Sequence, residues 1–131
     1  MKRVVITGIG VVSCLGNNQE EVYQSLLNSK SGITFCEEYK EYNLKSNIHG
    51  KPNIKLEDHI DRKIIRFMGD GSAYNYIAMK EAIKDSGLDE SDVSNISSGM
   101  IMGSGGPSIK NVIFSRFLKM KKKLFSHGCL A

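Results

Sequence analysis

Arg62, Lys63 and Arg66 fall within one arc of about 100° if residues 61–68 are helical. Ile64, Ile65 and Met68 then share a similar arc on the opposite side. The spacing predicts a helix over 61–68 with one buried face and one cationic face. Cations in the first turns of a helix are opposed by its macrodipole, by a few tenths of a kcal/mol. Concentrating them there builds positive potential at one spot, as a docking site for an acidic partner requires. The same residues also fit a solvated face with Asp58 and Asp61 as neighbours. On the residues alone both readings stand.

A second candidate is the run Gly103, Ser104, Gly105 and Gly106. A phosphate-binding P-loop would need Gly-Lys-Ser/Thr further on, and the chain offers Pro107, Ser108, Ile109 and Lys110 instead. Three glycines in four residues predict a close approach to the backbone by a ligand, by another subunit, or by the chain itself in a sharp turn. Gly8 and Gly10 suggest a dinucleotide-binding turn, but position 13 is Ser13 rather than the third glycine. A tight turn that lets two backbones approach is the better reading there.

The other reactive residue types are scattered. Cys14, Cys36 and Cys129 form no paired spacing, so neither a disulfide framework nor a metal site is indicated. His49, His59 and His127 have no carboxylate at ligand-like spacing. Cys14 and Cys36 read as packed thiols, and nothing builds a pocket around His127 and Cys129. The sequon at Asn95, Ile96 and Ser97 reads as chance without a secretory signal.

These residues need elements to hold them. Residues 2–9, with consecutive β-branched Val4, Val5 and Ile6, read as a strand buried on both faces. Asn18 reads as an N-cap with Glu21 completing a capping box. Val22, Leu26 and Leu27 would give that helix its apolar face, and Gly32 its C′ position. Residues 33–35 read as a short strand and the rest of 33–60 as an irregular excursion. After the 61–68 helix, Asp70 would cap a helix over 71–86 closed by Gly87, with Ala73, Ile77, Ala78, Ala82 and Ile83 inward. Residues 88–93 read as a loop or short turn, and 99–102 as a second core strand. The alternation predicts an α/β fold, with a parallel sheet as the default.

Composition sets the frame. The 131 residues are 40% hydrophobic and 24% charged with net charge +4, as in a globular domain and unlike a disordered chain. No apolar run nears the ~20 residues of a membrane span. Residues 1–109 hold 12 bases and 14 acids, a balance of −2, whereas residues 110–131 hold six bases and no acid. The pI near 9.0 therefore belongs to the tail. Arg116, Lys119 and the lysines at 121–123 share that tail with Phe117, Leu118, Leu124 and Phe125, a spacing that loosely suits a basic amphipathic helix. A reducing cytoplasm is expected, with no nucleic-acid and no membrane partner.

Taken in order, MKRVVITGIGVVSCLGNN, SGITF, IDRKIIRFM, AIKDSGL and GSGG resemble the opening of the β-ketoacyl-acyl-carrier-protein synthases, the type I branch above all. The resemblance implies a thiolase-like fold of layered helices and sheets, of which this chain would hold the first part of the N-terminal half. It implies a homodimer that elongates fatty acids by decarboxylative condensation of acyl groups with malonyl-carrier protein. No cofactor is implied, because the substrates carry phosphopantetheine on acyl carrier protein. Arg62, Lys63 and Arg66 would be the docking surface for that acidic carrier, with Lys63 and Arg66 as main contacts. Gly103, Ser104, Gly105 and Gly106 would form a loop at the dimer interface beside the acyl pocket, Gly106 leaving room for the chain.

The resemblance also marks what is missing. The family's nucleophilic cysteine and both catalytic histidines fall in blocks beyond residue 131, so no catalytic residue is expected here, and Cys129 is not promoted to that role. The likeness fades at Ser115. A domain over 1–114 and a divergent basic tail over 115–131, outside the fold, are therefore expected. The bias of 14 Lys against 4 Arg suggests an AT-rich gene, in which the tail would be out-of-frame translation. A non-catalytic remnant or a carrier-binding module is the alternative function.

Overall fold

The computed structural model describes residues 3–106 and 108–127. Its elements run α1 (Gln19–Leu27), β1 (Thr34–Phe35), α2 (Glu37–Glu41), β2 (Ile48–His49), a 3₁₀ turn (Leu56–Asp58), α3 (Arg62–Ile65), α4 (Asp70–Ser86), α5 (Glu90–Val93) and α6 (Ile109–His127). Helices and two short strands alternate as far as β2, only helical elements follow among the described residues, and the chain is α/β in class.

The small residues of α4 let another stretch of backbone lie against it. A Cβ at Gly10 would collide with the carbonyl of Ala78, and one at Gly8 with the carbonyl of Ala82. The turn read at these glycines is thus a close approach of two backbones, as expected. Ala73 is fully buried in α4, while Ile77, Ala78, Ala82 and Ile83 are half-buried. Gly87 ends the helix at φ 69°, the left-handed conformation a side chain resists. At the other end Gly69, not Asp70, is the N-cap, and Asp70 lies in the first turn.

Helix α1 begins as its sequence predicts. Asn18 Oδ1 accepts from the Glu21 amide at 2.9 Å. Glu21 reaches back to the amide of Asn17 at 2.7 Å, one residue earlier than a capping box places it. Two expectations for α1 are corrected. Leu26 and Leu27 are exposed, and the inward face is half-buried Val22 with buried Ser25, whose hydroxyl donates to the Leu15 carbonyl at 2.7 Å. The C′ position is taken by Ser29 at φ 51°, not by Gly32. The Lys30 amide reaches Ser25 O and the Ser29 amide reaches Leu26 O, a Schellman pair. Gly32 serves another purpose, since a Cβ there would strike the carbonyl of Cys14.

The strand over 33–35 forms as β1, which pairs antiparallel with β2, Thr34 opposite His49 and Phe35 opposite Ile48. This two-stranded sheet is the only one among the described residues. The strands expected over 2–9 and 99–102, and the parallel sheet they imply, are not formed there. A strand exists through its ladder, and no other extended stretch of the described chain pairs with either segment. Their apolar residues stay open, with Val4 91%, Ile6 84% and Ile101 98% exposed. The buried apolar residues among those described are Cys36, Ile60 and Ala73. Residues 88–93, expected as a loop or short turn, contain α5, capped reciprocally by Asp89 and Asp92.

Candidate functional site

The cationic segment is a shorter helix than its spacing predicts. Only residues 62–65 are helical, one turn, with Asp61 as N-cap. Asp61 Oδ1 accepts from the Lys63 amide at 2.7 Å, which fixes the start of the turn. The ordinary helical period over so few residues cannot separate two complete faces. Ile65 and Met68 do turn inward, lining a recess of about 350 Å³ with Leu56, Ala73 and Tyr74. Ile64, expected on the buried face, is exposed instead.

The cationic side forms as a surface. Arg62, Lys63 and Arg66 are all exposed. Arg66 caps the turn at its C-terminal end, and its guanidinium lies over the ring of Phe67 at 4.6 Å from the centroid. Such stacking at an exposed site contributes about 0.5–1 kcal/mol and narrows the orientations of a long side chain. Phe67 is itself 79% exposed, so the patch carries an aromatic plate beside three cations. Charge plus an open apolar ring suits the surface of an acidic protein better than charge alone. Nothing in the spacing of the sequence marked the Arg66–Phe67 contact, although an adjacent Arg-Phe pair at a helix end was its available signal.

The glycine loop behaves otherwise. Gly103, Ser104, Gly105 and Gly106 are exposed, and a Cβ added at any of the three glycines would meet nothing within 4 Å. No other segment of the described chain comes close on the side where a Cβ would stand. Ser104 Oγ donates to the Gly106 carbonyl at 2.7 Å, a local turn that holds the loop open. The structure does not bring this loop and the cationic turn into one pocket among the described contacts.

The remaining candidates are structural. Cys36 is buried and Cys14 half-buried, both as free thiols. His49 meets the Tyr39 ring edge-on, with centroids 5.5 Å apart. Cys129 lies outside the described residues. Asn95 turns its side chain back on its own loop, accepting from the Ser97 amide at 2.7 Å and donating to the Asp92 carbonyl at 2.8 Å. No group of three metal-ligating side chains occurs among the described residues.

One pair of residues escaped the sequence reading. Asp85 Oδ2 accepts from the Ile9 amide and Glu81 Oε2 from the Val11 amide, each at 2.9 Å. Acids one turn apart on the same flank as Ala78 and Ala82 were the signal that could have found them.

Comparison with known proteins supplies the context for these surfaces. The family model described as beta-ketoacyl synthase, N-terminal domain, matches residues 1–124. The chain is 49% identical over 111 residues to 3-oxoacyl-[acyl-carrier-protein] synthase 1 of Haemophilus influenzae, covering 85% of this chain and 27% of that protein. It is 46% identical over 115 residues to the protein of the same name from Escherichia coli, covering 87% and 28%. With a protein of that name from Buchnera aphidicola subsp. Acyrthosiphon pisum it is 47% identical over 131 residues, covering 98% of this chain and 32% of that protein. The chain thus spans between a quarter and a third of the length of these relatives.

Proposed function

The chain belongs to the β-ketoacyl synthase family through residues 1–124, and on that premise we propose that it carries the carrier-protein-docking part of a 3-oxoacyl-[acyl-carrier-protein] synthase. That enzyme elongates fatty acids by condensing acyl groups with malonyl units held on the carrier. The observation that carries the reading is the exposed cluster of Arg62, Lys63 and Arg66 on an Asp61-capped turn. Asp61, which directly precedes the cluster, accepts through Oδ1 from the Lys63 amide. The cluster therefore faces solvent as a positive surface for an acidic carrier.

The finer architecture follows the same premise. In a thiolase-like layered fold the open segments 3–9 and 99–102 would be central strands, and their exposed β-branched and methionine side chains suit that environment. The open loop of Gly103, Ser104, Gly105 and Gly106 leaves space for a second subunit and an acyl chain. The free thiols of Cys14 and Cys36 suit a cytoplasmic enzyme. No cofactor enters this scheme, since phosphopantetheine arrives on the substrate.

A second reading is favoured by the placement of the reactive residues. Cys36 is buried, and His49 is packed on Tyr39 rather than beside a thiol. On this reading residues 1–131 bind carrier protein without condensing anything. Titrating labelled acyl carrier protein with this chain tests the docking role common to both. Saturable binding, weakened by Lys63→Glu with Arg66→Glu, is the expected result. Binding that is absent at low salt, or unmoved by the charge reversal, would overturn it.

A further inference from the structure

Arg66 and Phe67 stand where the cationic turn ends, on a backbone fixed from both sides. The Phe67 amide donates to the Ile64 carbonyl and the Met68 amide to the Ile65 carbonyl, each at 3.0 Å. Ile65 and Met68 are turned into the recess that they line with Leu56, Ala73 and Tyr74. The two residues between them are exposed, and the guanidinium carbon of Arg66 lies 4.6 Å from the centroid of the Phe67 ring. Arg62 and Lys63, on the same turn, have no ring beneath them among the described residues.

Fixing a long, freely rotating side chain on a partner weakens a complex by roughly two- to tenfold. A ring that holds the guanidinium beforehand removes part of that loss. The attraction is to the π face of the ring, and the N–H donors in the guanidinium plane stay available to a carboxylate. Only one face of the ring is used, whatever lies against the other. We infer that Phe67 is a positioning residue of the docking surface, holding the Arg66 guanidinium ready for a carboxylate of an acidic carrier protein. This rests on the docking role proposed above for Arg66. Phe67 acts through Arg66 rather than on the carrier itself.

The test is a double-mutant cycle on the full chain, titrated at low salt with labelled acyl carrier protein. Phe67→Leu should weaken binding about two- to fivefold, and Phe67→Tyr, which keeps the π face, should leave it unchanged. In the Arg66→Ala background Phe67→Leu should have no further effect, whereas in the Lys63→Ala background its effect should persist in full. A merely structural role for the ring would lower affinity equally in both backgrounds. Nuclear magnetic resonance reads the stack itself. The Arg66 side-chain protons should lie upfield through the ring current and return to ordinary positions in Phe67→Leu. That shift is read on the unsubstituted chain, so it decides even if Phe67→Leu loses helix content by circular dichroism. Arg66 protons without a ring-current shift overturn the inference, as do equal losses from Phe67→Leu with and without Arg66. If Lys63→Ala and Arg66→Ala weaken binding while Phe67→Leu does not, the inference falls and the docking role stands. If the carrier does not bind, or none of the three substitutions moves its binding, the docking role falls and the inference with it.

Discussion

Glu81 and Gln19 lie 62 positions apart in the chain yet meet at 2.9 Å, a side-chain carboxylate on the first amide of a helix. The second oxygen of Glu81 takes the Val11 amide, and Asp85 one turn later takes that of Ile9. Four helical residues rise about 6 Å, and two extended residues about 6.6 Å. The two acids of α4 therefore match alternate amides of a segment running antiparallel to it. Gln19 also returns its side chain to the Ile9 carbonyl. One carboxylate thus ties the opening segment, the start of α1 and the middle of α4 together.

Glu81→Ala should lower the unfolding free energy by about 2–3 kcal/mol, because two half-buried amides lose a charged acceptor. Glu81→Gln keeps an acceptor and should cost about 1 kcal/mol. Urea unfolding of both variants checks the order. A loss below about 0.5 kcal/mol for the alanine variant would mean that water serves these amides equally well.

The close approach at Gly10 gives a contrast with the open loop. Gly10→Ala drives a methyl into the Ala78 carbonyl and should cost about 1–3 kcal/mol. Gly105→Ala meets empty space and should change stability by less than about 0.5 kcal/mol. Equal melting temperatures for the two variants would contradict the packing of residues 8–10 on α4.

At the cationic turn, Lys63→Glu with Arg66→Glu should act chiefly on the association rate of carrier protein. The loss should shrink as salt rises, since exposed charges separated by more than about 10 Å are screened at 0.1 M. Stopped-flow mixing at several ionic strengths reads this directly. Arg66→Lys should also lose the stacking on Phe67, which a compact ammonium holds less well than a planar guanidinium.

Removing residues 115–131 should leave the stability of the remaining chain unchanged within about 0.5 kcal/mol. Family likeness runs on to residue 124 and α6 passes through 115 without a break, yet residues 112–119 are exposed. Thermal unfolding of the shortened and full chains is the comparison. A cooperative drop in melting temperature would show that the tail packs on the body.

Supplied with acyl- and malonyl-carrier protein, the 131-residue chain should form no 3-oxoacyl product above background. Condensation needs an activated thiolate, and an ordinary cysteine with pKa about 8.5 is only a few per cent ionised at neutral pH. Oriented oxyanion donors, each worth about 10²–10³ in rate, are a further requirement. Product that disappears on Cys129→Ala would place a working nucleophile in the tail.

What was legible in the sequence was local. Asn18 caps α1 within three residues, Gly87 closes α4 in one, and Asp61 starts the cationic turn beside it. Burial is decided between distant segments, and there the spacing failed. Leu26 and Leu27 form an apolar stripe that nothing in the described chain covers, while Ser25 is buried because Leu15 offers it a carbonyl. Ser29 took the left-handed position from Gly32 because the helix ends with its apolar pattern at Leu27, which puts C′ at residue 29. Strand propensity in Val4, Val5 and Ile6 is strong, but propensity supplies no ladder partner. At the candidate site the three cations were legible by type and spacing. The aromatic plate of Phe67 was not, since its exposure depends on how short α3 is.

The way residues 3–11 are held also reverses a familiar gradient. In most domains the β-branched core amides are the last to trade their protons for deuterium, and loop amides the first. Here the amides of Val4, Val5 and Ile6 have no acceptor among the described residues, whereas those of Ile9 and Val11 are held by carboxylates. Isotope labelling of the isolated chain would therefore run outside in. The greasiest stretch would turn over within the first seconds, and the glycine-flanked stretch behind it would stay dark until α4 itself opens.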